Sequence, residues 1–139
     1  MEKTVAVKDS RHIDALVAVS SLNWNWFRNV RDPNWHSILD MRTGSIDWEL
    51  VSVVPDEMHL MGYSWDWKLP KFSTDMSAVW TEVERLVECG HSFDLKTDQH
   101  GRWIASLKKD SNGWIGSAKT SPLAICKAIL AMNQICIAF

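Results

Sequence analysis

In Ser73–Gly90, STDMSAVWTEVERLVECG, the apolar residues Met76, Val79, Trp80, Val83, Leu86 and Val87 step by three, one, three, three and one. That spacing draws one stripe on a helix of 3.6 residues per turn. Ser77, Thr81, Glu82, Glu84, Arg85 and Glu88 fall on the other side. A hydroxyl of Ser73 or Thr74 suits the N-cap, where it accepts from an orphan N–H of the first turn. Asp75 suits the positive end of the helix dipole, and Gly90 the left-handed position that stops a helix. A helix with a start, a stop and one apolar face has to lay that face on something, and the rest of the chain is read around it.

After Gly90 the period changes from 3.6 to 2. In His91–Asp98, Phe93 and Leu95 alternate with Asp94 and Lys96. In Arg102–Lys109, Trp103, Ala105 and Leu107 alternate with Arg102, Ile104 and Ser106. Asp98-Gln99-His100-Gly101 and Asp110-Ser111-Asn112-Gly113 supply the turns, with Asn112-Gly113 as the specific hairpin signal. Trp114–Ala118 forms a third, shorter strand. Ser121 then caps a helix with Pro122 at its first position, where a missing N–H costs nothing. Pro122–Asn133 is apolar on nearly every side (Leu123, Ile125, Ile129, Leu130, Met132) and is therefore covered on more than one face. Residues 73–139 read as helix, three-stranded meander, helix, with both helices on one face of an antiparallel sheet.

The first half is less regular. Residues 1–9 are a tail with a strand at Thr4–Val7. A helix runs from residue 10 to 22, capped by Asp9 or Ser10, with Ile13, Leu16, Val17 and Leu22 on one face. Residues 23–72 are tryptophan-rich loop with strand pieces, punctuated by Asp32-Pro33-Asn34, Thr43-Gly44 and Pro70. Within Ile46–Val54 a half-buried strand is expected, with Ile46, Trp48, Leu50 and Ser52 inward and Asp47 and Glu49 outward. The expected fold class is α+β: a layered sandwich in a single domain, 1–139.

Composition sets the function classes. At 139 residues the chain can bury a core without disulfides or metal. A net charge of −2 argues against a general binder of nucleic acid or anionic membranes. Cys89, Cys126 and Cys136 have no paired spacing and read as reduced thiols in a cytoplasmic protein. MEKTVAVKDSRH lacks the apolar segment of a signal peptide.

Three stretches resemble a known family. Ile13-Asp14-Ala15-Leu16-Val17-Ala18 opens one helix. Pro70-Lys71-Phe72-Ser73-Thr74-Asp75 runs into Ala78-Val79-Trp80. Thr120-Ser121-Pro122-Leu123-Ala124-Ile125-Cys126-Lys127-Ala128 opens another. In this order they resemble the small bacteriophage proteins described as the phage ABA-sandwich domain; residues 23–68 match that pattern less well. The resemblance implies a helix–sheet–helix layered fold and a phage or prophage origin. It implies no established chemistry and no catalytic residue.

The residues themselves offer little for catalysis. Cys89 and His91 are close in sequence, but a thiol at a helix C-terminus meets a dipole that disfavours the thiolate. The histidines His12, His36, His59, His91 and His100 show no metal-ligand spacing, and no glycine-rich phosphate loop is present. No metal site and no cofactor are expected. Asp47 with Glu49, and Asp56 with Glu57, read as solvated strand or turn carboxylates rather than an acid–base pair. The helix–three strands–helix order is that of double-stranded-RNA-binding domains, a nucleic-acid-binding alternative. That module needs several lysines at the start of its last helix, where this chain has only Lys119.

The remaining signal is tryptophan. Of nine, six (Trp24, Trp26, Trp35, Trp48, Trp65, Trp67) lie in the first half, more than a small core needs. In Asp56–Phe72, Tyr63, Trp65, Trp67, Met58 and Met61 lie among Asp56, Glu57 and Asp66, residue types that interface cores favour. Trp24 and Trp26 repeat the same spacing as a second patch. The alternative is that Trp65 and Trp67 form a strand face packed on the core. The expected function is a small phage-type binding protein without catalysis. It would dock on a host or defence protein with a basic surface through Tyr63, Trp65, Asp66, Trp67, Trp24, Trp26, Asp56 and Glu57. A CRISPR or other defence inhibitor is its sharpest form.

Overall fold

The computed structural model describes residues 2–7, 9–33, 36–40, 42–51 and 69–139. In chain order the elements are β1 (Lys3–Ala6), α1 (Ser10–Ser21), β2 (Asn25–Asn29), β3 (His36–Leu39), β4 (Trp48–Leu50), α2 (Met76–Glu88), β5 (Ser92–Thr97), β6 (Trp103–Lys109), β7 (Asn112–Ala118), α3 (Ser121–Met132) and β8 (Ile135–Ala138). The fold is α+β, as its periodicities require. The antiparallel meander β5-β6-β7 carries α2 and α3 on one face, and α1 packs on the far side of α3. A second antiparallel sheet runs β3-β2-β4, and β1 pairs with β8 in parallel.

β5 and β6 keep the expected alternation. Phe93, Leu107 and Trp114 pair across the three strands, as do Leu95, Ala105 and Gly116. These residues face the helices; Asp94, Ser106 and Ile115 line the opposite face. α3 fills the centre, with Ala124, Ile125, Cys126, Ala128, Ile129 and Leu130 all buried. Full burial of Ile125, Ile129 and Leu130 contributes about 1.5–3 kcal/mol each relative to exposure. α3 comes so close to β7 that a Cβ on Gly116 would run into the Ala124 carbonyl oxygen and lie 2.5 Å from the Ala128 nitrogen. The strand therefore has to be glycine there.

Several local expectations are corrected. The N-cap of α2 is Asp75, whose carboxylate accepts from the Ser77 N–H at 2.9 Å. Ser73 is committed elsewhere, with its N–H on Asp14 and its hydroxyl on the Ser10 carbonyl. α3 starts one residue earlier than expected, with Thr120 in the cap position and no side-chain cap bond. The β6–β7 hairpin turns on Asp110-Ser111, because Lys109 already pairs with Asn112. Asp110 takes the left-handed φ of 56° that aspartate tolerates better than most residues, so Asn112-Gly113 is strand.

Ile46 is 88% exposed and Leu50 50%, so neither is the inward face of a half-buried strand. β4 covers three residues and pairs with β2, and residues 52–54 of the expected strand lie outside the described residues. Finally, the chain continues past α3 into β8. Gln134 at φ 63° makes the turn, and the Lys3 N–H donates to its carbonyl at 2.7 Å.

Candidate functional site

The sequence places Glu82 on the solvent side of α2 and Trp80 and Val87 on the buried side. The structure reverses this. Val79, Glu82, Val83 and Leu86 are the buried face, while Trp80 is 40% and Val87 48% exposed. The reason lies in α1. The Ser21 hydroxyl donates to Glu82 Oε1 at 2.7 Å. Arg85 Nε donates to Glu82 Oε2 at 3.0 Å, and Arg85 Nη2 reaches the Ser21 carbonyl at 3.2 Å. A buried carboxylate with this set of donors is satisfied, and the charge-assisted pair raises the Arg85 guanidinium above its ordinary value. α2 is thereby rotated so that part of its apolar stripe stays uncovered.

The uncovered part forms an open groove of about 590 Å³ between α2 and the start of β5, lined by Trp80, Val83, Glu84, Val87, His91 and Phe93 among others. The Trp80 ring meets Phe93 edge-on, with centroids 5.6 Å apart and planes at 77°. That contact fixes the indole while leaving part of it to solvent. His91 lies at the groove's end, 6.3 Å from the Trp114 ring, and its Nδ1 donates to the Leu86 carbonyl at 3.0 Å. Glu84 and Glu88 are exposed and stand on the ridge between this groove and a second one lined by Leu22, Pro70, Phe72 and Arg85. Among the described residues neither carboxylate has an ion pair. Spaced i, i+4 they repel each other. The Lys109 side chain comes up to the helix end, its Cε 3.8 Å from the place of a Cβ on Gly90.

Of the site residues expected from sequence, Asp56, Glu57, Tyr63, Trp65, Asp66 and Trp67 lie outside the described residues. Trp26 is 7% exposed and part of the core, so it does not offer a docking face; β2 is the central strand of its sheet and buries Trp26 and Phe27 on successive positions. Trp24 is half-buried against the same core. Among the six described tryptophans, Trp80 is the one that is exposed. The sequence hid it because a stripe of six apolar residues shows which side of a helix is apolar, not how much of that side a neighbour covers.

Cys89 is exposed at the C-terminal cap of α2. Among the described residues no group of three or more His, Cys, Asp or Glu side chains could hold a metal ion. No helix among them is long and apolar enough to cross a membrane.

The family model for the phage ABA sandwich domain matches residues 15–130. The fold is similar to that in a crystal structure of a phage protein from Bacillus cereus, with a TM-score of 0.55 at 17% identity, over 90% of this chain and 87% of that one. No curated protein matches the sequence.

Proposed function

From the premise that this chain belongs to the phage ABA sandwich domain family, we propose that it is a binding protein without catalysis that docks on a host or defence protein. The observation that carries this reading is the groove of Trp80, Val87 and Phe93 beside Glu84 and Glu88. Large apolar side chains left open by an otherwise well-packed helix, next to carboxylates that have no ion pair among the described residues, have the composition of an interface core with a polar rim. The Trp-rich acidic stretch holding Asp56, Glu57, Tyr63, Trp65, Asp66 and Trp67 is the second component of the same reading. Inhibition of a defence nuclease by covering a basic nucleic-acid surface is its most specific form.

Affinity capture tests it, with host lysate and a purified CRISPR effector as separate baits. Val87→Lys should abolish capture while leaving the melting temperature within a few degrees, since Val87 is half in solvent. Trp65→Ala with Trp67→Ala should do the same if those indoles face outward; a collapsed melting temperature returns them to the core. Capture indifferent to all three substitutions would remove the docking reading.

A further inference from the structure

We infer that the groove takes an arginine-bearing segment of the partner protein, a deepening that rests on the docking reading above. Trp80, Glu84 and Glu88 are spaced i, i+4, i+8, so an indole and two carboxylates succeed one another along about 12 Å of α2. Val87 lies beside them, and Phe93 forms the opposite wall. An apolar peptide would cover Trp80 and Val87 but strand two carboxylates at its edge. A lysine would meet the charge but has no flat face to lay on the ring.

A guanidinium does both. It is planar, it stacks on an indole, and its fork matches a carboxylate bidentately. The aliphatic stem of the arginine covers Val87, as long charged side chains do over apolar surface. A second arginine one helical turn along reaches Glu88.

Among the described residues no cation forms an ion pair with either carboxylate. The Arg85 guanidinium is held by Glu82 and Ser21 in the second groove, across the ridge of Glu84 and Glu88, and the Lys109 side chain lies beside Gly90. The repulsion between Glu84 and Glu88 is a standing cost that a bound cation relieves. His91 has its Nδ1 turned back to Leu86 and faces the groove with the rest of its ring.

The test uses the full chain and three fluorescein-labelled peptides in which leucine alternates with arginine, lysine or glutamine. Anisotropy titration at low salt should rank arginine about tenfold tighter than lysine, with no binding by glutamine. Glu84→Gln with Glu88→Gln should weaken the arginine peptide about tenfold or more, and Trp80→Leu should erase the preference for arginine over lysine. The two glutamates are exposed, so their replacement leaves the fold intact as a check on Trp80→Leu.

Equal affinity for lysine and arginine, or arginine binding unaffected by the double glutamine variant, overturns the inference. So does a groove variant that changes the sedimentation coefficient of the chain, because the occupant is then a second copy. If the peptides fail but Val87→Lys still abolishes partner capture, the arginine assignment falls and the docking reading stands. If both fail, both fall.

Discussion

Gly116 and Asp14 each bear directly on where a helix sits: a side chain at Gly116 would collide with α3, and the Asp14 carboxylate ties α1 to Ser73. At Gly116 the obstruction is helix backbone, which cannot step aside as the tip of a flexible side chain can. Gly116→Ala should therefore cost at least the usual 1–3 kcal/mol of overpacking, read as a lower urea midpoint with an unchanged slope. Asp14 is fully buried; it accepts from the Ser73 N–H at 2.7 Å and from Arg11 Nη1 at 2.7 Å. Burial pushes its carboxyl above the ordinary carboxylate value, although the hydrogen bonds from Ser73 and the Arg11 charge pull the other way.

An acid with a raised folded pKa holds its proton in the fold over a window where the unfolded chain has lost it. Its contribution to stability is thus full below the ordinary carboxylate pKa and falls as pH rises through the folded one. The stability difference between wild type and Asp14→Asn, measured by urea melts across pH, should therefore shrink or turn negative as pH rises from about 3.8 toward neutrality. Asp14→Ala should cost about 1–3 kcal/mol more than Asp14→Asn near neutral pH, because it leaves the buried Ser73 N–H without an acceptor.

At the scale of elements, two polar joints orient the helices. Asp14 ties α1 to the residues leading into α2, and Arg11 Nη2 adds a bond to the Leu69 carbonyl at 2.8 Å. Glu82 ties the other end of α1 to the middle of α2 through Ser21. Arg85→Ala takes away the charge partner of a buried carboxylate. With Arg85 itself partly in solvent, the expected loss is roughly 1–3 kcal/mol, below that of a fully buried pair. Glu82→Gln in the same background should restore part of it, and a thermal melt of the double variant no better than Arg85→Ala would show that the charge is not what matters.

These joints also mark what sequence could and could not reveal. The three helices and the meander were legible because each carries its own period, stop and turn signals. The three stretches that resemble the phage family include Asp14, Ser73 and Cys126. The first two are bonded, and Cys126 lies near enough for the Asp14 charge to add to the burial that holds its thiol well up. Part of the likeness is thus a likeness of joints. Glu82 was not legible, because its burial depends on Ser21, 61 positions away. β8 was not, because four apolar residues after an apolar helix carry no period of their own and their partner β1 is at the other end of the chain. The groove was missed for the same reason as Glu82: coverage of a stripe is a tertiary fact.

For the molecule as a whole, the distribution of charge separates the docking reading from nucleic-acid binding. The order α2-β5-β6-β7-α3 is that of a duplex-RNA module, so topology alone does not decide. Affinity for duplexes comes mostly from cations that displace condensed counterions, and each phosphate contact needs its lysine or arginine. Residues 74–139 carry seven lysines and arginines against seven acidic residues. Lys127, which could have pointed from α3 toward a phosphate, donates instead to the Ser117 carbonyl at 3.1 Å. On the open sheet face Asp94 sits between Ser92 and Lys96 and dilutes what charge there is. A gel-shift titration of duplex RNA at low salt should therefore leave the duplex unretarded through roughly micromolar protein, the range where even non-specific binders engage. Capture of a protein partner should behave oppositely to a purely apolar contact: it should weaken as salt shortens the Debye length from about 10 Å at 0.1 M toward about 3 Å at 1 M. The weakening should be smaller for the Glu84→Gln, Glu88→Gln variant, which has less charge to screen. A duplex retarded at submicromolar protein, with partner capture indifferent to salt, would transfer the function from the acidic groove to the sheet.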